Sequence, residues 1–265
     1  MDLLSYLGYT LALLVGISLG LVGSGGSILT VPILVYLMKI EPFLATAYSL
    51  FIVGSTAAVG SIKNIIDKTI NYKIVLIFGI PSLLTVFATR AFLLPLIPNS
   101  FIIGEFTIAK SLALMILFSI VMLAASIKMI RPASADINTP KNLEIKTIPL
   151  LIQSILIGLV AGTVGAGGGF LIVPALVLGS KIPMKEAVAT SLAIVTVQSL
   201  FGFLGDLSHQ EVDWKLLLTF SMIAIIGIFI GIFLSKKIED TKLKTYFGWF
   251  VLTMACYIIT VELLF

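Results

Sequence analysis

The sequence predicts an all-α integral membrane protein of two inverted repeats, each a re-entrant or broken glycine-tipped helical hairpin plus three transmembrane helices. Three observations predict this. Of the 265 residues, 59% are hydrophobic and only 11% are charged, where a soluble domain carries roughly 25% charged residues. The chain repeats itself at a fixed offset. Its basic residues segregate to one side once the glycine-rich segments are treated as hairpins.

The composition excludes a water-soluble fold of this size, because so few charges cannot cover its surface, and apolar runs recur along the whole chain. Mean hydropathy is +1.17. Met1-Asp2 brings no basic region and no small-residue cleavage site follows, so the first apolar segment is expected in the mature protein. One cysteine, Cys256, cannot form a disulfide within the chain, and a packing role is expected for it. His209 sits among Asp206, Glu211 and Asp213; this reads as a solvated connector, with a proton relay as the alternative.

A shift of 142 residues aligns the two halves without a gap. Gly16, Gly20, Gly23, Gly25 and Gly26 fall on Gly158, Gly162, Gly165, Gly167 and Gly168, and Val31-Pro32 falls on Val173-Pro174. Between residues 16 and 53, 19 of 38 positions are identical to their partners. The expected organisation is a first repeat at 1–130, a polar linker at 131–147 and a second repeat at 148–265, forming one membrane domain.

In order, the apolar segments of the first half are roughly 3–22, 28–38, 43–62, 74–97 and 107–127. Those of the second are roughly 148–164, 170–179, 186–204, 214–234 and 245–264. The second segment of each half is too short to cross, since about 20 residues are needed. A glycine cluster joins it to the first segment, so a hairpin that enters and returns accounts for both. Irregular backbone at that depth is tolerated only inside protein or beside water. With hairpins, thirteen of the seventeen basic residues share one side, leaving Lys39, Arg90, Lys110 and Lys215 opposite. With single crossings the split is eight against nine. The thirteen are therefore assigned to the cytoplasm, with the linker, and both termini lie outside a cytoplasmic (inner) membrane. An odd number of passages per half inverts the repeats, an architecture that places a site at the midplane between them.

The glycine clusters are the first site candidates: Gly23, Ser24, Gly25, Gly26 and Ser27, then Gly165, Ala166, Gly167, Gly168 and Gly169. A helix starting near Ser27 or Gly169 presents unpaired N–H groups and a positive dipole end, which suit an anion. Ser27 either caps its helix or touches a ligand. Gly16, Gly20, Gly158 and Gly162 read instead as close helix packing. Hydroxyls and an amide in the third segments follow: Ser49, Ser55 and Thr56, against Thr190, Ser191, Thr196, Gln198 and Ser199. They bind an anion without a buried charge, or they bond helix to helix. Arg90 either draws anions to the outer mouth or anchors the interface. Glu105, Lys110 and Glu262 are expected to reach water. No acidic pair sits at mid-depth, so H⁺ or Na⁺ coupling has no obvious carrier. No catalytic constellation, metal spacing or cofactor motif is present, so no enzyme, metal, cofactor or nucleic acid is expected; the alternatives to an anion transporter are a transporter of cations or neutral solutes, or an intramembrane enzyme.

The doubled Gly-x-x-x-Gly-x-x-Gly-x-Gly-Gly stretch, the Val-Pro after it, and the Ala-x-Ala-x-Ser-Leu at Ala45–Leu50 and Ala187–Leu192 resemble the sulfite exporter TauE/SafE family over nearly the whole chain. The resemblance implies transport of a small sulfur-containing or organic anion, such as sulfite or sulfoacetate, with the lipid bilayer as the other partner. It fixes neither substrate nor oligomeric state. Ser27 stands where the second copy has Gly169, so the two ends of the site need not be equivalent.

Overall fold

A computed structural model describes residues 3–98, 100–103, 106–130, 147–165, 167–179, 182–207, 212–235 and 240–264. Glu105, most of the linker (131–146), Ala166, Lys181, His209 and Glu211 lie outside the described residues.

α1 (Leu3–Val22) turns at Gly23 into a tight 3₁₀ segment, Gly23–Leu29. That leg continues through α2 (Thr30–Pro32) into a wide π-type turn, Ile33–Leu37. It returns along α1, because Gly8 packs against Met38. The segment is thus a hairpin. Its helical turns begin at Gly23, not at Ser27, which lies inside the 3₁₀ run. α3 (Pro42–Ile66) opens with Glu41, whose Oε2 accepts the Leu44 N–H at 3.0 Å, and with Pro42, which suits a first helical turn. Lys68, at φ 53°, follows the end of this helix.

Tyr72–Leu96 forms one long apolar helix. It consists of α4 (Tyr72–Ile74), a wide turn Val75–Gly79, α5 (Ile80–Ala88), a second wide turn Thr89–Leu93, and α6 (Leu94–Leu96). Each wide turn lies just before a proline, Pro81 or Pro95, whose missing N–H and bulky ring break the regular ladder. The all-α expectation needs one amendment here. β1 (Ser100–Ile103) pairs antiparallel with β2 (Phe106–Ala109), Ser100 opposite Ala109. Ile102, Ile103, Thr107 and Ile108 are β-branched and favour extended backbone, so the next helix, expected near 107, is α7 (Lys110–Ile130).

The second half supplies α8 (Thr147–Val164), α9 (Gly169–Gly179), α10 (Met184–Asp206), α11 (Trp214–Ser235) and α12 (Asp240–Leu264). Among the described residues five helices are long and apolar enough to cross a bilayer: Pro42–Ile66, Tyr72–Leu96, Thr147–Val164, Lys185–Asp206 and Trp214–Ser235. The chain is accordingly a multi-pass, essentially all-helical membrane protein.

α3 and α10 form the centre: their spans are 67% and 61% buried, against 33–39% for the other three. They run antiparallel, since Leu50 meets Gly202, Gly54 meets Leu200 and Gly60 meets Leu192. Phe51, Phe203 and Trp214 cluster at one end, with ring centroids 5.1–6.1 Å apart. α1 lies parallel against α11, where Gly16 meets Ala224 and Gly227, and Gly20 meets Ile228 and Gly231. The same contact recurs 142 residues on: Gly158 meets Ser82 and Thr85, and Gly162 meets Thr89. The first helix of each half therefore packs on the fourth helix of the other half, and the four glycines serve close packing as expected.

Three peripheral expectations change. Lys110 does not simply reach water: its Nζ donates to the Leu94 carbonyl at 2.5 Å and lies 4.6 Å from the Phe43 ring. Glu262 accepts the Tyr36 hydroxyl at 2.8 Å, tying the first hairpin to α12. Cys256 is exposed on α12 instead of packed in the core.

The interlock predicts opposite outcomes for two glycines. A Cβ at Gly16 would stand 1.9 Å from the Ala224 carbonyl oxygen, whereas one at Gly79 meets nothing nearer than 3.6 Å. Gly16→Val should cost at least ~1–3 kcal/mol by overpacking. Gly79→Ala should be neutral or stabilise by up to about 1 kcal/mol. Thermal melts of the two detergent-purified variants check both.

Candidate functional site

The two glycine tips meet each other. Ser24 Oγ donates to the Gly169 carbonyl at 2.8 Å, and both serine and glycine are buried. A Cβ on Gly169 would lie 2.2 Å from Ser24 Cβ and 2.4 Å from its carbonyl oxygen, so only glycine admits this approach. The second tip bends through left-handed backbone at Gly165 (φ 72°), Gly167 (φ 65°) and Gly168 (φ 63°), and the first does so at Gly23 (φ 71°). Such angles cost little only for glycine. The Leu171 and Ile172 N–H groups both close on the Gly168 carbonyl, so α9 starts where the sequence placed it. Its first N–H groups have no acceptor within the helix.

Both tips press against the central helices. Gly23 sits on Val188 of α10, and its counterpart Gly165 sits on Thr46 of α3, a pair related by the same offset of 142. Gly167 lies between Val53 of α3 and Val195 and Ser199 of α10. Gln198 Nε2 donates to the Gly167 carbonyl at 3.2 Å. The hydroxyls of Ser27, Thr30, Ser49, Thr56 and Ser199 and the amide oxygen of Gln198 are buried without a hydrogen-bond partner, and of these Ser199 and Gln198 lie against the second tip. Unsatisfied buried polar groups are rare, and each calls for an explanation. Those six belong to the first tip and to the central helices α3 and α10.

The other candidates separate from this group. Gly25 and Gly26 lie inside the 3₁₀ run. Ser191 Oγ turns back to the Val188 carbonyl at 2.9 Å, Ser55 bonds within its own helix to Ile52, and Thr196 bonds both to Leu192 of its own helix and, at 3.4 Å, to Ser61 of α3. Thr190 Oγ1 accepts the Asn71 N–H at 3.0 Å. Its counterpart Tyr48 accepts the Asp213 N–H at 2.6 Å. Thr190 thus clamps the connector after α3. Asn71 and Asp213 in turn cap α4 and α11.

Arg90 takes part in a buried ion pair. It is 0% exposed, and Nη1 donates to Asp206 Oδ2 at 3.1 Å and to Thr46 Oγ1 at 3.0 Å. Asp206, read from sequence as part of a solvated connector, is the last residue of α10 and is 2% exposed. The wide turn Thr89–Leu93 carries Arg90, and Gly205 gives room to its Cβ. Lys110 is in electrostatic contact with Glu41, Arg90 and Asp206. A buried ion pair in a membrane segment is a functional feature by default. Sequence reading missed this pair and the roles of Thr30 and Thr46. One signal was available: Thr46 and Arg90 stand opposite Val188 and Ile232 in the repeat, so these two polar residues have no counterparts in the other half.

Residues 9–258 match the sequence profile of the family described as sulfite exporter TauE/SafE. A probable membrane transporter protein of Xylella fastidiosa is 30% identical over 254 residues, covering 93% of this chain and 91% of that protein. The probable membrane transporter protein YunE of Bacillus subtilis is 28% identical over 263 residues, covering 94% and 95%. Another from Methanocaldococcus jannaschii is 27% identical, covering 88% and 89%. No solved structure matches the chain.

The ion pair predicts an asymmetric response to truncation. Asp206→Ala leaves a buried guanidinium without its counter-charge and should cost about 3–5 kcal/mol, whereas replacing both Arg90 and Asp206 by Leu should recover most of that loss. Thermal unfolding of the single and double variants measures the difference.

Proposed function

The chain belongs to the sulfite exporter TauE/SafE family, and from that premise we propose that it is a secondary transporter of a small sulfur-containing anion. Sulfite, a sulfonate or a related organosulfur anion moves by alternating access around a site where the two tips meet. The observation that carries this reading is the contact of Ser24 with Gly169, with buried, unpartnered hydroxyls on the first tip and on the two central helices beside it. The start of α9 offers N–H donors and a positive dipole end. Ser27, Ser49, Thr56, Gln198 and Ser199 supply neutral polar groups, which hold an anion strongly enough to select it and weakly enough to release it.

The same proposal includes inversion of the repeats in a cytoplasmic membrane, with both termini outside and the 131–147 linker inside. Antiparallel α3 and α10 support it, because equivalent helices must oppose each other when the repeat axis lies in the membrane plane. The parallel pairs α1–α11 and α8–α5 support it too, as does the return of the first hairpin to the level of Gly8. The excess of basic residues on one side gives the orientation. The central site is then reached from each face in turn as one hairpin and its partner helices rock against the other.

Flux of sulfite, thiosulfate, sulfoacetate and taurine into proteoliposomes tests the transport reading. At least one anion should be carried, and Ser27→Ala and Gln198→Ala should each reduce its uptake about tenfold, as expected for losing a hydrogen bond to a charged ligand. A folded protein that carries none of the four, or variants with unchanged uptake of a carried anion, would refute the site. For topology, Lys68→Cys and Lys215→Cys in a Cys256→Ser background should react with an impermeant maleimide from opposite faces.

A further inference from the structure

We propose that Arg90 holds a built oxyanion subsite at the second tip: its Nε–H and Nη2–H form a bidentate fork for two oxygens of the transported anion. This rests on the transporter reading above and adds the chemical class of ligand that the site prefers.

The geometry divides the guanidinium into two ends. Nη1 is committed to Asp206 and Thr46. Nε and Nη2, which together make the side-on edge of the group, are fully buried and have no partner. A buried charged donor left unmade is costly, so this edge is stabilised when an acceptor reaches it. Its two parallel N–H bonds match a planar or pyramidal oxyanion, since Arg meets carboxylate-like groups in that bidentate fashion. Nη2 lies against the Gly165 backbone, 2.3 Å from where a Cβ would be. The edge therefore belongs to the tip that also carries Gly167, Gly168 and the start of α9.

Asp206 has a distinct task here. It holds the far end of the guanidinium, which fixes the plane of the fork, and it offsets the charge while no anion is present. Thr46 fixes the same end from α3. The first tip has no equivalent, because Ile232, Asn64 and Val188 occupy the matching positions. The fork therefore acts on one side of the meeting point only. Oxyanions with two or three oxygens on one centre, such as sulfite, a sulfonate or a carboxylate, engage both N–H groups. A spherical halide engages the fork less well.

Uptake into proteoliposomes, with Arg90→Lys beside the unaltered protein, tests this. Lysine keeps the charge and can still face Asp206, but it lacks the fork. The expected result is a KM for the carried oxyanion raised at least tenfold, with a loss of preference for oxyanion over bromide; a merely structural role would lower the amount of active protein and leave that preference unchanged. An Arg90→Lys variant with unchanged KM and preference overturns the fork while leaving the transporter reading intact. If that variant does not fold, competition on the unaltered protein decides. Sulfite, sulfoacetate and formate should block uptake of the labelled oxyanion, and bromide should fail to do so at a hundredfold higher concentration. Equal block by bromide overturns the proposal. Failure of the unaltered protein to carry any of the four solutes removes the transporter reading, and this inference with it.

Discussion

Everything in this molecule depends on backbones approaching more closely than side chains permit. Gly16 and Gly20 on α1 meet Gly227 and Gly231 on α11, and Gly158 and Gly162 on α8 meet Ser82, Thr85 and Thr89. In an apolar medium there is no hydrophobic drive to bring helices together, so close van der Waals contact must supply the association. These contacts cross between the halves. They fix each hairpin not on its own repeat but on the fourth helix of the other. Both tips are thereby delivered to the same place, where Ser24 touches Gly169.

Duplication gives the molecule its frame, and departures from duplication give it chemistry. Gly23 and Gly165 share nearly the same left-handed φ, and they rest on Val188 and Thr46 at matching positions. The change from valine to threonine supplies one hydroxyl, and that hydroxyl receives Arg90. Likewise Ser27 and Gly169 occupy matching positions, yet the first lies within a 3₁₀ run and the second opens a helix. A symmetric ancestor of such a site would offer both faces of the membrane the same surroundings. This one does not, because the guanidinium and its carboxylate stand beside one tip only.

Much of the frame was legible in the sequence. The 142-residue offset located both glycine tips, and the packing of Gly16, Gly20, Gly158 and Gly162 followed from their spacing alone. The start of α9 at Gly169 followed from the glycine run before it. What was hidden came from residues whose meaning depends on a distant partner. Asp206 sits beside Leu207 and a run of polar residues, a composition that reads as a connector, and only α5 and its wide turn show that Arg90 reaches it. Thr190 looked like its neighbours in a list of hydroxyls, although its partner is a backbone N–H across the connector. The strand pair Ser100–Ile103 and Phe106–Ala109 was masked by apolar β-branched residues that suit a membrane helix equally well.

The crossed packing also sets a timetable. α8 finds α5 already made when it leaves the ribosome, but α1 has no such partner. Gly16 must wait for Gly227, a delay of roughly 10–40 s at about 5–20 residues per second. Until then the glycine face of α1 is without its partner. Contacts so distant along the chain are slow to close. The seating of α1 thus waits on α11, a helix made some two hundred residues later.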